Sequence, residues 1–189
     1  MLDSDAMPKS RAHFSCGNCC VSATTMLTAT LSLGGLFGFA WASKVLSQGA
    51  DPYNMARAGV LVGVPAFVAV ICSGYLNTEW LFSLGVFGIG LGGGLFSHGT
   101  LTSCMNLAPK DQSGLALGAW GAVQATAGGL AMALGGIMRD LVDLLGGAVA
   151  TGYVSVYAVE LVVLIFTAVV LSPLVRSIQM TRFSSEQRT

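Results

Sequence analysis

Charged residues are scarce in this chain of 189 residues, in which nine Lys and Arg are balanced by nine Asp and Glu, 10% of the sequence. A soluble globular domain carries about 25% charged residues. A small domain exposes much of its surface, and so few charges cannot cover that surface in water. The composition excludes a soluble enzyme and a disordered chain.

The absence of other features excludes further classes of function. The formal net charge is +0, so no excess of basic residues points to a nucleic acid partner. Five cysteines do not make the framework of a disulfide-rich secreted domain. No P-loop, GxSxG or HExxH motif occurs in the sequence. We therefore expect that the protein is not an enzyme.

Long uncharged stretches are what the sequence has instead. The chain is 53% hydrophobic, and its mean hydropathy is +0.72. Four stretches lack Asp, Glu, Lys and Arg, and a fifth holds only Glu160: 12–43, 58–78, 80–109, 112–138 and 144–175. A helix needs about 20 apolar residues to cross a bilayer. Barrel strands would alternate in polarity over about 10 residues, and this pattern is missing.

These stretches predict an all-α membrane protein with five transmembrane helices. The predicted spans are about 22–43, 57–76, 81–105, 115–138 and 153–175. Together they form one transmembrane domain over 22–175, between a polar N-terminal tail at 1–21 and a C-terminal tail at 176–189. Five spans place the two termini on opposite sides of the membrane.

The distribution of Lys and Arg predicts the orientation. The face with the N-terminus would carry Lys9, Arg11 and Arg139, and the opposite face would carry Lys44, Arg57, Lys110, Arg176, Arg182 and Arg188. Cytoplasmic loops carry the excess of positive charge. We therefore expect a cytoplasmic C-terminus and a periplasmic N-terminus.

Glycines cluster inside the predicted spans. Several are four residues apart: Gly34 and Gly38, Gly59 and Gly63, Gly88 and Gly92, Gly90 and Gly94, and Gly114 and Gly118. This spacing puts both members of a pair on one helix face and lets a neighbouring backbone approach closely. Either a neighbouring helix or a flat ligand would press against such a surface.

Three polar residues within the spans are candidates for function. Glu160 is either a protonatable or partner-binding carboxylate or a structural acid bonded to a neighbouring helix. Gln124 would bridge two helices or contact a polar ligand group. The imidazole of His98 is either an axial ligand for a chlorophyll magnesium or a hydrogen-bonded packing residue.

The N-terminal run from His13 to Cys20 contains four potential metal ligands. Zinc sites usually pair two separated ligand clusters, and the sequence has no second cluster. The alternatives are a metal site and a tail with ordinary thiols.

Two long stretches carry a family resemblance. Residues 90–102 read GLGGGLFSHGTLT, and residues 106–126 read NLAPKDQSGLALGAWGAVQAT. The motifs GADPY at 49–53 and GGIMRD at 135–140 belong to the same pattern. The chain resembles, from about Thr25 to Arg176, the bacteriochlorophyll-delivery branch of the major facilitator superfamily. These are the PucC-like light-harvesting complex assembly proteins of phototrophic bacteria.

The resemblance implies a larger architecture than this chain holds. Family members have about twelve helices, and the five spans resemble the last five, the C-terminal portion only. The run His13–Cys20 stands where a seventh helix would be and does not resemble one. A truncated gene product, a late-start fragment and a reduced paralogue are all consistent with this, and a second chain supplying the missing helices stays open.

The resemblance also implies a function. We expect an assembly factor or accessory subunit of photosynthetic light-harvesting complexes in a bacterial inner or intracytoplasmic membrane. It would bind or deliver bacteriochlorophyll, its one expected cofactor, and contact light-harvesting polypeptides. The pigment-binding candidates are Gly92, Gly93, Gly94, His98, Trp120 and Gln124. The alternatives are a remnant or subunit of a major-facilitator solute transporter, in which Glu160 and Gln124 would act, and a structural subunit of a larger membrane complex.

Overall fold

Five long helices make up the computed structural model of the chain. They are α1 (Lys9–Ser47), α2 (Pro52–Leu76), α3 (Glu79–Leu107), α4 (Ser113–Leu144) and α5 (Val149–Glu186). The structure describes the backbone of 9–76, 78–109, 111–145 and 149–186, and within these ranges the side chains of 22, 24–76, 78–109, 111–142, 144–145 and 152–171. No strand occurs among the described residues.

Each predicted span lies within one helix, and the predicted all-α membrane class is confirmed. Five segments are long and apolar enough to cross a bilayer: Thr24–Ser47, Pro52–Leu76, Glu79–Leu107, Ser113–Val142 and Gly152–Leu171. The helices extend past the predicted span limits at both ends of the chain. α1 begins at Lys9 and α5 continues to Glu186, within the stretches assigned to polar tails.

Local sequence signals set the helix ends. Gly49 has a φ of 90°, a conformation that favours glycine, and its amide donates to the carbonyl of Leu46 at 3.0 Å, which closes α1. Asp51 precedes α2 and caps its start, since its carboxylate accepts the amide hydrogen of Tyr53 at 3.3 Å. Pro52 occupies the first helical position, where no amide hydrogen is needed.

Helix α3 lies at the centre of the packing, between α1 and α2, and also contacts α4. Helix α5 packs against α2 and α4. A small buried core of Ala42, Met55 and Leu95 joins the first three helices. No described residue of α4 is buried, so α4 is the most peripheral of the five.

Hydroxyl groups inside the spans are satisfied by their own helices. Thr100, Thr102 and Ser103 donate to the carbonyl oxygens of Phe96, His98 and Gly99 at 2.8–2.9 Å. Lipid offers no hydrogen-bonding partner, so a hydroxyl in a span bonds back to the preceding turn. These residues therefore lie within the spans without an unpaired hydroxyl.

Candidate ligand cavity

Three consecutive glycines of α3 point in three different directions, because successive helical residues are about 100° apart. A Cβ atom built on Gly92 would lie 2.7 Å from the carbonyl oxygen of Gly59 on α2. One on Gly94 would clash with the carbonyl oxygen of Gly35 on α1. One on Gly93 would meet no atom within 4 Å. Gly92 and Gly94 therefore serve helix packing, while Gly93 faces open space.

The space above Gly93 is an apolar cavity of about 560 Å³ between α2, α3, α4 and α5. We call it the large cavity to distinguish it from a smaller one that adjoins it; a separate groove of about 730 Å³ lies against α1 and α3. Its lining residues are Gly59, Val60, Gly63 and Phe67 of α2; Ile89, Gly92, Gly93 and Phe96 of α3; Ala131, Leu134, Gly135 and Met138 of α4; and Val156, Val159, Glu160, Val163, Leu164 and Thr167 of α5. Each of the four helices contributes at least four residues.

The large cavity lies beyond the hydrogen-bonded contacts between α3 and α4, all of which involve the first half of α4. The two helices touch near their connection, where the Cys104 thiol lies 3.7 Å from the carbonyl oxygen of Ala116. Further along, α4 packs on α5, and a Cβ atom on Gly135 would meet Val156 at 3.6 Å. Helix α5 in turn meets α2, where the rings of Phe67 and Tyr157 are 6.4 Å apart. The four helices thus surround the gap.

Two lining residues carry polar side chains. The hydroxyl of Thr167 donates to the carbonyl oxygen of Val163 at 2.8 Å, so its hydrogen is already used. Glu160 makes no hydrogen bond or ion pair with another residue in the described part of the chain. The carboxylate of Glu160 is therefore the free polar group of an otherwise apolar wall.

A smaller cavity of about 320 Å³ adjoins the large one. The two share Ala131, Gly135, Val156 and Glu160 as lining residues. At its other end the smaller cavity is lined by Arg139 and Tyr153, close to the α4–α5 connection. Glu160 therefore stands between an apolar compartment and one that reaches the end of the bundle.

Trp120 and Gln124 connect α4 to α3. The indole Nε1 of Trp120 donates to Oγ1 of Thr100 at 3.3 Å, and Nε2 of Gln124 donates to Oγ of Ser97 at 3.5 Å. Both side chains are partly buried. Gln124 and Trp120 thus form two bridges between α3 and α4, one helical turn apart.

His98 lies on the side of α3 that faces α1. Its ring meets the ring of Phe39 edge-on at a centroid distance of 4.3 Å. Its Nδ1 atom is buried and has no hydrogen-bond partner. His98 is not among the residues that line the large cavity.

The predicted site residues thus divide into three groups. Gly92 and Gly93 line the large cavity, Trp120 and Gln124 bridge α3 to α4, and His98 and Gly94 face α1. Sequence reasoning did not assign Glu160 to the same site as Gly93. The remaining wall residues, such as Phe67 and Met138, look like any apolar residue of a span and gave no signal.

The ligand candidates of the run 13–20 lie outside the described side chains, and the described residues contain no cluster of three potential metal ligands.

Comparison with known proteins identifies close relatives. The family described as PUCC protein matches residues 16–179. Protein PucC of Cereibacter sphaeroides is 52% identical over 161 residues, 83% of this chain and 35% of that protein. Protein PucC of Rhodovulum sulfidophilum is 55% identical over 131 residues, 69% of this chain and 29% of that protein. Protein PucC of Rhodobacter capsulatus is 48% identical over 162 residues, 82% of this chain and 35% of that protein.

The chain spans about a third of the length of these relatives. No solved structure matches it. The family match covers most of the sequence and all five membrane spans. The chain therefore belongs to the PUCC protein family.

Proposed function

We propose that this chain is an assembly factor or accessory subunit of photosynthetic light-harvesting complexes, and that it binds bacteriochlorophyll in the large cavity. The observation that carries the proposal is the cavity itself, an apolar and partly open space of about 560 Å³ lined by four membrane helices. Membership of the PUCC protein family supports the assembly role. The pigment comes from the family resemblance of the α3 and α4 sequences.

The residues around the large cavity fit such a pigment. Ligand sites are typically apolar spaces of about 300–1,000 Å³ with a few polar groups. Gly93 leaves open space where any other residue would carry a Cβ atom, so a flat molecule can approach the α3 backbone. When bound, the pigment would supply a light-absorbing macrocycle and a magnesium ion with an open axial position. Phe67, Phe96 and Met138 would bury its apolar surface.

Helix α4 would form the side of the cavity that admits and releases the pigment. It contributes no buried residue in its described part, and its bridges to α3 are confined to its first half. Elements with few buried contacts open most readily. Outward movement of the second half of α4 would widen the cavity toward the lipid without disturbing the packing of α1, α2 and α3.

Filling the cavity tests pigment binding. We expect Gly93→Leu to abolish co-purification of bacteriochlorophyll from a pigment-making host, because the new side chain would occupy the cavity. Gly128→Leu is the matched control, since Gly128 also has open space around it and does not line the cavity. Pigment and chain would be quantified by absorption after detergent purification. An empty wild-type protein, or equal pigment in both variants, would contradict the proposal.

The outward face of α4 is the proposed contact surface for a light-harvesting polypeptide or for a second chain with further helices. Opposite the bridging residues, α4 presents a row of small side chains: Gly118, Ala122, Ala125, Gly129 and Ala133. Cβ atoms built on Gly118 and Gly129 would meet nothing within 4 Å. Small residues at such spacing let membrane helices pack closely.

A structural subunit would use the same α4 surface without the cavity. Stable co-purification with a photosynthetic complex, with no pigment bound to the chain itself, would favour that alternative function. In either case we place the chain in a bacterial inner or intracytoplasmic membrane, with its C-terminus cytoplasmic and its N-terminus periplasmic.

The position of Glu160 between the two cavities favours a second candidate function, a subunit or remnant of a proton-coupled solute transporter. An acid within a membrane span commonly marks an ion or substrate pathway. Proton-driven uptake into vesicles containing the wild-type chain, lost in Glu160→Gln, would support this candidate. An absence of uptake into these vesicles would exclude the transporter candidate and would not affect the pigment-binding proposal.

A further inference from the structure

Glu160 is the one ionisable residue among the described residues that line the large cavity. It lies near the middle of the segment Gly152–Leu171, far from either end of the span. A carboxylate at this depth is costly and is usually paired within the protein. No described residue supplies a hydrogen bond or a cation to it. The side chain of Glu160 is exposed in the wall of the cavity, so its carboxylate is accessible to a ligand there.

The other polar side chains in and beside the large cavity, those of Thr167, Trp120, Gln124 and His98, each contact another residue. The Thr167 hydroxyl donates to its own helix, and the donors of Trp120 and Gln124 are given to Thr100 and Ser97. His98 faces α1 and packs against Phe39, away from the cavity. A molecule in the large cavity would therefore meet one free polar group, the carboxylate of Glu160.

We infer that Glu160, and not His98, supplies the axial ligand to the magnesium ion of a pigment held in the large cavity. This inference rests on the proposed function. Magnesium is a hard cation that prefers oxygen ligands, and carboxylates are its usual protein ligands. A carboxylate oxygen of Glu160 would coordinate the magnesium in place of a solvent molecule. The gain would come from the magnesium–oxygen bond, since the macrocycle already balances the charge of the metal.

The glycines of α3 are consistent with this geometry. Glu160 is on α5, across the cavity from Gly93 on α3. A flat macrocycle held in this cavity would rest on the backbone at Gly93, and Glu160 would be the carboxylate available to its magnesium. His98 would require the pigment to lie between α1 and α3, where Gly90 and Gly94 already pack against the α1 backbone.

A comparison of two pigments, one with magnesium and one without it, distinguishes coordination of the magnesium from binding of the macrocycle in the cavity. The full-length chain, purified in detergent without pigment, is titrated with bacteriochlorophyll a and with its magnesium-free form, bacteriopheophytin a. The wild type should prefer the magnesium pigment by about tenfold, the difference expected for one interaction with a charged group. Glu160→Leu should abolish this preference while still binding the magnesium-free form. Glu160→Gln, which keeps an oxygen ligand, should retain part of it, and His98→Leu should retain all of it.

The coordination state of the magnesium is the second readout. Resonance Raman spectra of the bound pigment should report a ligand in the wild type that changes in Glu160→Leu and is unaltered in His98→Leu. An undiminished preference and unaltered spectrum in Glu160→Leu would overturn the inference and leave pigment binding intact. Loss of the preference in His98→Leu alone would overturn it in favour of the histidine. A wild type that binds neither pigment would refute the proposed function itself.

Discussion

Gly59 and Gly92 face each other across α2 and α3, and a Cβ atom on Gly92 would lie 2.7 Å from the Gly59 carbonyl oxygen and 3.0 Å from the Gly63 amide nitrogen. The two helices therefore touch through backbone atoms, which cannot move aside as a flexible side chain can. Close contact of this kind is a main source of helix association in membranes, where lipid tails are as apolar as leucine.

Gly92→Ala should destabilise the protein by about 1–3 kcal/mol, because the added methyl group forces α2 and α3 apart. Thermal unfolding in detergent, followed by tryptophan fluorescence, would measure the loss. Gly93→Ala is the matched control, since its Cβ atom meets nothing and alanine favours the helix by up to about 1 kcal/mol. Equal destabilisation by both variants would contradict the packing role of Gly92.

The Trp120–Thr100 hydrogen bond should contribute a small coupling energy. Thr100 donates to its own helix and accepts from the Trp120 indole, so Oγ1 serves both roles. Trp120→Phe and Thr100→Val together form a double-mutant cycle. We expect a coupling of about 0.6 kcal/mol, the average for hydrogen bonds between membrane helices. A coupling of zero would mean that the bridge does not hold α4 to α3.

Replacing His98 by phenylalanine should leave the protein as stable as the wild type or slightly more stable. The phenyl ring keeps the edge contact with Phe39, and the variant removes the buried, unpartnered Nδ1 atom. An unpaired buried polar group costs about 1–3 kcal/mol, part of which would be recovered. His98→Ala, which also loses the ring contact, should be less stable than His98→Phe. Unfolding of His98→Phe at a markedly lower temperature would point to an unrecognised partner for the imidazole.

Bulky residues on the outward face of α4 should disrupt partner binding while the chain itself stays folded. Gly129→Leu adds a side chain where nothing lies within 4 Å, so the monomer should unfold at the wild-type temperature. Co-purification with a light-harvesting polypeptide should fall. Gly128→Leu, an open glycine on a different face of the same helix, serves as the comparison. Undiminished co-purification in Gly129→Leu would exclude this face as the contact surface.

Reporter fusions should reveal the orientation of the helices. A fluorescent protein that folds only in the cytoplasm should be bright after Thr189 and dark when inserted at Thr78. Alkaline phosphatase, which needs the periplasm, should give the opposite pattern at both positions. The expectation follows from six positive residues on one face against three on the other. The reversed pattern would refute the charge-based orientation.

The sequence was most informative about features that a single segment determines without contacts to other helices. The stretch 80–109 contains no charged residue, so it is stable in lipid and not in water. In lipid the backbone must form its own hydrogen bonds, which favours a helix. Helix α3 could therefore be predicted from the sequence alone. The positions of Gly88 and Gly92 on one helix face, and of Gly90 and Gly94 on another, also follow from the spacing within one segment. Each pair shares a helix face, and the structure packs the first against α2 and the second against α1.

Partners across helices were not predictable in this way. Periodicity indicates that Gly92, Gly93 and Gly94 point in different directions, but it does not say which of them meets a helix and which meets open space. The same holds for Glu160. Counting residues gives its depth in the span, but the sequence does not show which residues surround it. Trp120 and Thr100 are 20 residues apart in the chain and became partners only through the α3–α4 packing.

The amino-acid sequence alone determined that this protein crosses a membrane as five helices, since hydrophobic transfer and backbone hydrogen bonding act on each segment separately. Only the tertiary structure decided that Trp120 and Gln124 join α4 to α3 and that Gly93 and Glu160 line one cavity. That outcome depends on how side chains of four different helices fit together, and no single segment carries this information.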